Sequence, residues 1–191
     1  MIYICIYPFF FVPLPRFIFV VSIEKCGIWS FDSMKPDDIK SFLPQRPVRL
    51  LMVEEPLRQE LVKACYDVIG CMHEVYRQLG PGLPEYLYQE ALMLELTNKG
   101  MTVHKELEFH PLYHGQPLQS YIKMDMMVES PIGHIIIECK ALTQLTEREH
   151  YQTFGYLRAT GGPIAILVNF GADHRAQVER YYLNNGEIRV F

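Results

Sequence analysis

Residues 163–170 form an apolar run that only Asn169 interrupts. A strand that is apolar at nearly every position must be buried on both faces, so other elements have to cover it from two sides. A strand with one solvated face alternates instead, as residues 102–109 do. The run therefore predicts a central strand within a sheet that is flanked by helices.

Helical and strand periods divide the rest of the domain into an ordered series. Apolar residues recur every three or four positions in the helical segments and every second position in the strands. The strands before the third helix form an antiparallel meander. The predicted elements are helices at 57–79 and 84–98, strands at 102–109, 118–128 and 134–140, a helix at 146–160, the strand at 163–170 and a last, amphipathic helix at 175–183.

Two of these helices carry local signals. In the second helix, Leu87, Ala91 and Leu94 are predicted to face inward. The third helix begins with Thr146 and has Glu149 three residues later. This spacing is typical of a capping box. In this motif, the hydroxyl of the first residue and the carboxylate of the second each accept a hydrogen bond from the other residue's backbone N–H.

The first 23 residues differ from the rest of the chain, because 18 of them are hydrophobic. The stretch has the length of roughly 20 residues that a membrane span needs, but three prolines and Arg16 interrupt it. It is interpreted as a membrane anchor or as an over-extended start, with Met34 and Met52 as alternative first residues. A cleaved signal fits less well, since no basic segment precedes the stretch.

The remaining chain is predicted to have two parts. Residues 24–53 mix charges with prolines and suggest a linker or loose arm, and residues 54–191 form the folded domain. Residues 51–191 carry 12 basic and 18 acidic side chains, a net charge of −6. A strongly basic footprint is absent, so any nucleic-acid binding requires a local site. The five cysteines form no CxxC pair, which favours a reducing compartment, the cytoplasm.

Two carboxylates and an ammonium converge in the predicted hairpin at residues 121–140. If the hairpin is symmetric about the centre of its loop, Asp125 lies directly opposite Glu138, with the two Cβ atoms about 5 Å apart. Lys140 follows two residues after Glu138 and projects from the same face. Like charges directly opposite each other destabilise a sheet, so this pair requires a cation.

Two cations could compensate these carboxylates. Lys140 itself could form a structural salt-bridge cluster with them. Alternatively a hard divalent ion could bind, since Mg²⁺ takes one or two carboxylates and completes its shell with waters and phosphate oxygens. A bound metal lowers the pKa of its water, and a lysine beside that water can orient it. The second interpretation outlines a site for phosphodiester hydrolysis.

Several blocks of residues occur in order along the domain, and together they resemble a known family. They are Leu79-Gly80-Pro81 followed by Gly82-Leu83-Pro84-Glu85-Tyr86-Leu87-Tyr88, then Tyr88-Gln89-Glu90-Ala91-Leu92, Tyr121-Ile122-Lys123-Met124-Asp125, Ile137-Glu138-Cys139-Lys140-Ala141 and Asn169-Phe170-Gly171. This set resembles the GxxExxY family of the PD-(D/E)xK nuclease-like superfamily, over roughly residues 57–183. The resemblance implies a restriction-endonuclease-like α/β (α+β) fold with an αβββαβ core, the order that the periods give independently.

The resemblance also implies roles for residues of the hairpin. Asp125 and Glu138 resemble the two metal-binding acids, and Lys140 resembles the catalytic lysine. The backbone carbonyl of Cys139 resembles a further metal ligand. Glu85 resembles an early acidic residue that contributes to the metal site, although a carboxylate near a helix N-terminus also has a simple electrostatic explanation.

A pair on the third predicted helix completes the implied site. Gln152 and Tyr156 are four residues apart and therefore share a face of the helix. They resemble the QxxxY motif of the recombination-exonuclease branch, which supports the metal and the phosphate.

The implied function is a Mg²⁺-dependent nuclease, with Mn²⁺ as a substitute, that hydrolyses DNA as an endonuclease or an exonuclease. The alternative is a non-catalytic module that binds nucleic acid or protein and retains the fold, because a fold does not imply a function. A membrane partner is expected only through residues 1–23, which would make the protein membrane-anchored rather than cytoplasmic.

Overall fold

The computed structural model describes residues 51–191; the apolar stretch 1–23 and residues 24–50 of the predicted linker lie outside the described residues. Its three helices and nine strands confirm the predicted αβββαβ order and insert one small hairpin, β3–β4. In chain order the elements are β1 (Leu51–Met52), α1 (Leu57–Leu79), α2 (Glu85–Asn98), β2 (Val103–Phe109), β3 (Leu112–Tyr113), β4 (Gln116–Pro117), β5 (Ile122–Ser130), β6 (Gly133–Lys140), α3 (Glu147–Thr160), β7 (Ile164–Asn169), β8 (Gln177–Asn184) and β9 (Glu187–Val190).

Seven strands form one mixed sheet in the order β1-β9-β8-β7-β6-β5-β2. Strands β2, β5 and β6 are the predicted antiparallel meander, and Met126 lies opposite Ile137 in the register that the symmetric hairpin predicts. Strand β7 is parallel to β6, and helix α3 makes the crossover that a parallel pair requires. The sheet therefore brings the carboxyl ends of β6 and β7 to the same edge.

The core consists of two layers, one on each face of the sheet. Helices α1 and α2 pack on the first face, through residues such as Met72 and Leu92. Helix α3 packs on the second face through Phe154 and Leu157. Every residue of β7 is buried, which confirms the central strand that the apolar run predicts.

The face of helix α2 differs from the prediction. Leu94 is exposed, whereas Leu87 and Ala91 are half-buried and Ala91 packs against the core. The fully buried residues are Tyr88, Leu92 and Leu96. Apolar and polar residues are spread around the helix without a single apolar stripe, so its periodicity does not select one face. The buried face is instead selected by the tertiary contacts of Tyr88, whose ring stacks on Phe170 with the centroids 4.8 Å apart.

The capping box at the start of α3 is confirmed. The Thr146 hydroxyl accepts a hydrogen bond from the Arg148 N–H (3.3 Å), and the Glu149 carboxylate accepts one from the Thr146 N–H (2.9 Å). Two backbone donors that would otherwise lack partners are satisfied in this way. The cap therefore fixes where α3 begins after β6.

The last predicted helix, at residues 175–183, is wrong, because this segment forms strand β8 and is followed by β9. Strand β8 pairs antiparallel with β7, on the edge of β7 that does not pair with β6. Val178 and Tyr182 pack on the first face of the sheet, whereas Tyr181 and Leu183 pack on the second. Apolar residues on both sides of a strand obscure the period of two, and the segment then resembles an amphipathic helix.

The last residues of the predicted linker belong to the sheet. Leu51 and Met52 pair with β9, and the N–H of the buried Val53 donates a hydrogen bond to the Val190 carbonyl (2.9 Å). Within residues 51–191, no helix combines the length and hydrophobicity needed to cross a membrane.

Candidate functional site

Strands β5 and β6 separate at Asp125. Their ladder ends at the pair Met126 and Ile137, although β6 continues to Lys140. Beyond this pair, the Cys139 N–H donates a hydrogen bond to Asp125 Oδ2 (2.8 Å) instead of to the backbone of β5. The carboxylate thus replaces a ladder hydrogen bond, and the separation opens the carboxyl end of β6.

Strand β5 also changes face at Asp125. Met126 packs on the first face of the sheet, whereas Met124 packs on the second, although residues two apart in a regular strand share a face. The neighbouring strand β2 is distorted at the opposite position, where Glu106 has φ 54° and is left out of the ladder. Both strands are therefore irregular at the point where Asp125 faces the site.

Glu138 and Lys140 form an ion pair at the carboxyl end of β6. Lys140 Nζ lies 2.6 Å from Glu138 Oε1, and Glu138 is only 1% exposed. The other oxygen, Glu138 Oε2, is buried and has no hydrogen-bond partner among residues 51–191. One oxygen of this carboxylate is therefore balanced by Lys140, and the other is buried without a hydrogen-bond donor.

Burial is the main cause of the raised pKa values of the two acids. Burial, followed by the charge of Asp125, raises the pKa of Glu138 to about 7. Burial also raises the pKa of Asp125, although the Cys139 N–H and Lys140 oppose this shift. Burial disfavours the charge of Lys140, but Glu138, Glu85 and Asp125 outweigh it and raise its pKa. Perturbed acids of this kind are typical of functional sites.

Helix α2 contributes two polar side chains. Burial raises the pKa of Glu85, while the charge of Lys140 and the Ala141 N–H lower it, which places Glu85 beside the end of β6. Gln89 lies one turn later; its Nε2 donates to Glu85 Oε1 (3.5 Å), and its amide favours the charged form of Asp125. Gln89 therefore links the two acids, a role that the sequence analysis missed. Its spacing of four residues from Glu85 is the signal that could have found it.

Helix α3 contributes Tyr156 to the site, and Gln152 on the same helix holds the Tyr156 hydroxyl. Gln152 Nε2 donates to the Tyr156 hydroxyl (2.8 Å), which donates to the Lys123 carbonyl (3.1 Å). Burial and the charges of Glu138 and Asp125 raise the pKa of Tyr156, against the hydrogen bond from Gln152. The predicted pair therefore shares a face and reaches the site, with Tyr156 nearer to the carboxylates.

A clamp at the end of β7 holds the segment that follows Lys140. The buried Asn169 accepts the Leu142 N–H through Oδ1 (2.9 Å) and donates from Nδ2 to the Leu142 carbonyl (2.8 Å). The Phe170 N–H donates to the Lys140 carbonyl (2.7 Å). A Cβ at Gly171 would lie 2.5 Å from the Leu142 carbonyl oxygen. This clamp fixes where β6 ends and is a second feature whose role the sequence analysis missed.

The motif at residues 82–88 divides into structural and site residues. Gly82 has φ 101°, which glycine adopts readily. The Tyr88 hydroxyl donates to the Gly80 carbonyl (2.7 Å) and accepts the Leu83 N–H (3.0 Å). Tyr88 thus ties the loop before α2 to the helix, and the loop in turn positions Glu85.

Replacing Tyr88 with phenylalanine is expected to cost about 1–3 kcal/mol of stability, because two hydrogen bonds are lost while the ring stays packed. The thermal midpoint of unfolding measures this loss. The matched control is Tyr86→Phe, since Tyr86 is exposed on the same helix. Equal midpoints for the two variants would show that the hydroxyl does not hold the loop.

The donor set fits a hard divalent cation that is coordinated mainly from outside the protein. Glu138 Oε2 is a buried acceptor without a donor, which a cation can satisfy. Within residues 51–191, no group of three or more His, Cys, Asp or Glu side chains has the arrangement to hold a metal by itself. Asp125 and Glu138 would thus leave coordination positions to water and phosphate, as Mg²⁺ prefers. The roles predicted for Glu85 and the Cys139 carbonyl stay predictions.

The comparisons with known proteins agree with this geometry. Residues 62–181, more than half of the chain, match the family model described as the PD-(D/E)XK nuclease superfamily. No curated protein and no solved structure matches the chain. With the mixed sheet and its flanking helices, the match confirms the predicted restriction-endonuclease-like fold. The chain therefore belongs to the PD-(D/E)XK nuclease superfamily.

Proposed function

We propose that the domain is a Mg²⁺-dependent nuclease that hydrolyses DNA phosphodiester bonds, with Mn²⁺ as a substitute. The observation that carries this proposal is the buried, unpartnered oxygen of Glu138 beside Asp125, where β5 and β6 separate. Two acids that repel each other are costly in a sheet. A cation shared between them and a phosphate would offset this cost.

Each residue of the site has a proposed role. Asp125 and Glu138 would hold the metal, with the Cys139 carbonyl as a further ligand and Glu85 beside them. When bound, the ion stabilises charge on the phosphate and lowers the pKa of a coordinated water. Lys140, placed 2.6 Å from Glu138, brings a positive charge and N–H donors to orient the attacking water.

Groups from both helical layers would support these residues. The Tyr156 hydroxyl, held by Gln152 and the Lys123 carbonyl, is placed to order the site from α3. Gln89 does the same from α2. We also propose that the chain belongs to the GxxExxY family. Each residue of this motif has a distinct place in the structure: Gly82 in the turn before α2, Glu85 near Lys140, and Tyr88 in the hydrogen bond that ties the loop to the helix.

The test is cleavage of single-stranded, double-stranded and branched DNA by the purified full chain, with and without Mg²⁺ or Mn²⁺. Lys140→Ala is expected to reduce metal-dependent cleavage about 100-fold or more, the usual contribution of a group that moves or orients a proton. Lys105→Ala is the matched control, because Lys105 is an exposed lysine on β2. Cleavage that persists in Lys140→Ala would contradict the assigned site.

A second candidate function is a non-catalytic binding module. The observation that favours it is the ion pair of Lys140 with Glu138, which balances one carboxylate oxygen without any metal. Absence of metal-dependent cleavage of all three substrates, together with retained DNA or protein binding, would favour this function. We also propose a cytoplasmic location for the domain, with residues 1–23 as the only candidate membrane anchor.

A further inference from the structure

The strands β3 and β4 and the residues that flank them form an exposed surface of unusual composition, which we call the aromatic flap (residues 110–121). Tyr113 is 64% exposed and Tyr121 is 51% exposed, and Leu112 and Leu118 are exposed as well. These side chains do not contribute to either core layer. Exposed apolar side chains that lie together indicate a binding surface.

The flap is ordered although its rings are exposed. His110 Nδ1 contacts the Leu118 carbonyl oxygen (2.9 Å), and its ring lies 5.7 Å from the ring of Tyr121. Tyr113 and His114 form an edge contact with centroids 4.4 Å apart. Rings that are held before binding lose little conformational entropy when a ligand arrives.

The flap borders the candidate active site. The ladder of β2 and β5 ends at Ile122, directly after the flap and three residues before Asp125. At about 3.3 Å per residue, Tyr121 lies about 13 Å along the strand from Asp125. Between them the Lys123 carbonyl accepts the hydrogen bond of Tyr156.

The charge of the flap differs from that of the domain around it. Residues 110–121 contain no aspartate or glutamate, whereas residues 51–191 carry a net charge of −6. Lys123 follows the flap and is exposed. A polyanion therefore meets no carboxylate on the flap itself, unlike on the acidic surface around it. Beyond the flap, Lys123 forms an ion pair with the exposed Glu106 (3.1 Å).

We propose that the aromatic flap stacks on unpaired bases of a DNA strand whose backbone lies at Asp125 and Glu138, an inference that rests on the proposed nuclease function. Every base has a face on which an aromatic ring can stack, so such contacts tolerate any sequence. In a duplex these faces are covered by neighbouring bases. The flap therefore directs the domain to single strands or to the frayed end of a duplex.

The experiment measures the binding of full-length protein to a fluorescent single strand, to its duplex and to an abasic strand of equal length. The Lys140→Ala background slows cleavage and keeps both carboxylates, so binding is measured with Mg²⁺ present. Tyr113→Ala and Tyr121→Ala are each expected to weaken binding to the single strand about 10-fold, with little change on the abasic strand. Tyr113→Phe and Tyr121→Phe keep the rings and are expected to bind normally.

A matched control and three outcomes make the test decisive. Tyr66→Ala removes a tyrosine that is 73% exposed on α1 and is expected to change nothing. Unchanged strand binding by the flap variants would overturn the flap proposal and leave the nuclease proposal standing. If the flap variants weaken binding to the ordinary single strand and to the abasic strand equally, the proposal is also overturned, because stacking requires bases. If the flap variants instead only dissociate an oligomer in sedimentation, the flap is a protein interface and the proposal fails.

Discussion

Replacing Glu138 by glutamine is expected to slow metal-dependent cleavage strongly and, at the same time, to stabilise the metal-free domain at pH 8. Glutamine keeps the size of the side chain and an oxygen that can accept from Lys140, but it removes the negative charge. Loss of a metal-holding carboxylate removes several kcal/mol of transition-state stabilisation, so we expect a decrease of roughly 1,000-fold in the cleavage rate.

The expected gain in stability follows from the raised pKa of Glu138. This pKa is about 7 in the folded chain and about 4.3 in the unfolded chain. Between these pH values the folded chain binds one proton more than the unfolded chain, so the free energy of unfolding falls as the pH rises. Glutamine does not titrate, so the variant is expected to be more stable above pH 7 by on the order of 2 kcal/mol.

Urea unfolding at pH 5 and pH 8 in the presence of a chelator measures the change in stability, and the DNA cleavage assay measures the loss of activity. The stability of the wild type should fall relative to that of Glu138→Gln between the two pH values. The control is Glu108→Gln, an exposed acid on β2, which is expected to change neither cleavage nor the pH dependence. A variant that is less stable than the wild type at pH 8 would show that Glu138 is a well-compensated structural ion pair.

Gly171→Ala is expected to destabilise the domain by about 3 kcal/mol or more, which is a large effect for a single methyl group. The added Cβ would lie 2.5–2.6 Å from the carbonyl oxygen and amide nitrogen of Leu142. Backbone cannot rotate away as a side chain can, and Asn169 holds Leu142 in place through two hydrogen bonds. The segment after Lys140 must therefore shift.

Two measurements test this prediction. The midpoint of thermal unfolding should fall by roughly 10 °C, given about 2–4 °C per kcal/mol for a domain of this size. Cleavage by the folded fraction should also decrease, because displacement of a catalytic group by about 1 Å can cost about 100-fold. Gly70→Ala is the control, since nothing lies within 4 Å of an added Cβ there. A folded, fully active Gly171→Ala protein would mean that the clamp does not set the position of Lys140.

The sequence predicts the architecture well because burial controls the period of its elements. All residues from 164 to 169 are buried, and the apolar pattern of this segment therefore predicts a central strand. The register of β5 and β6 follows from the same physics, since a slip of one residue would move Ile135 and Ile137 to the other face. The positions of Asp125 and Glu138 near each other depend on this register.

The features that the sequence does not predict are those that depend on tertiary contacts. The face of α2 is selected by the stacking of Tyr88 on Phe170, which no local pattern encodes. The change of face at Asp125 requires a matching distortion at Glu106 in the neighbouring strand. Strand β8 is apolar on both sides, so its period was obscured. A sequence period predicts regular helices and strands, whereas the candidate site lies where the pairing of β2, β5 and β6 becomes irregular.

The short strand β1 has a consequence for any fragment that is made from this chain. Leu51 and Met52 cover the outer edge of β9, and Val53 adds a further hydrogen bond to Val190. A fragment that begins at Met52 would lose the first of these residues and expose backbone donors and acceptors at the edge of a seven-stranded sheet. Exposed edges of this kind pair with other chains and promote aggregation. Leu51 and Met52 thus cover an edge of β9 that could otherwise pair with a second molecule.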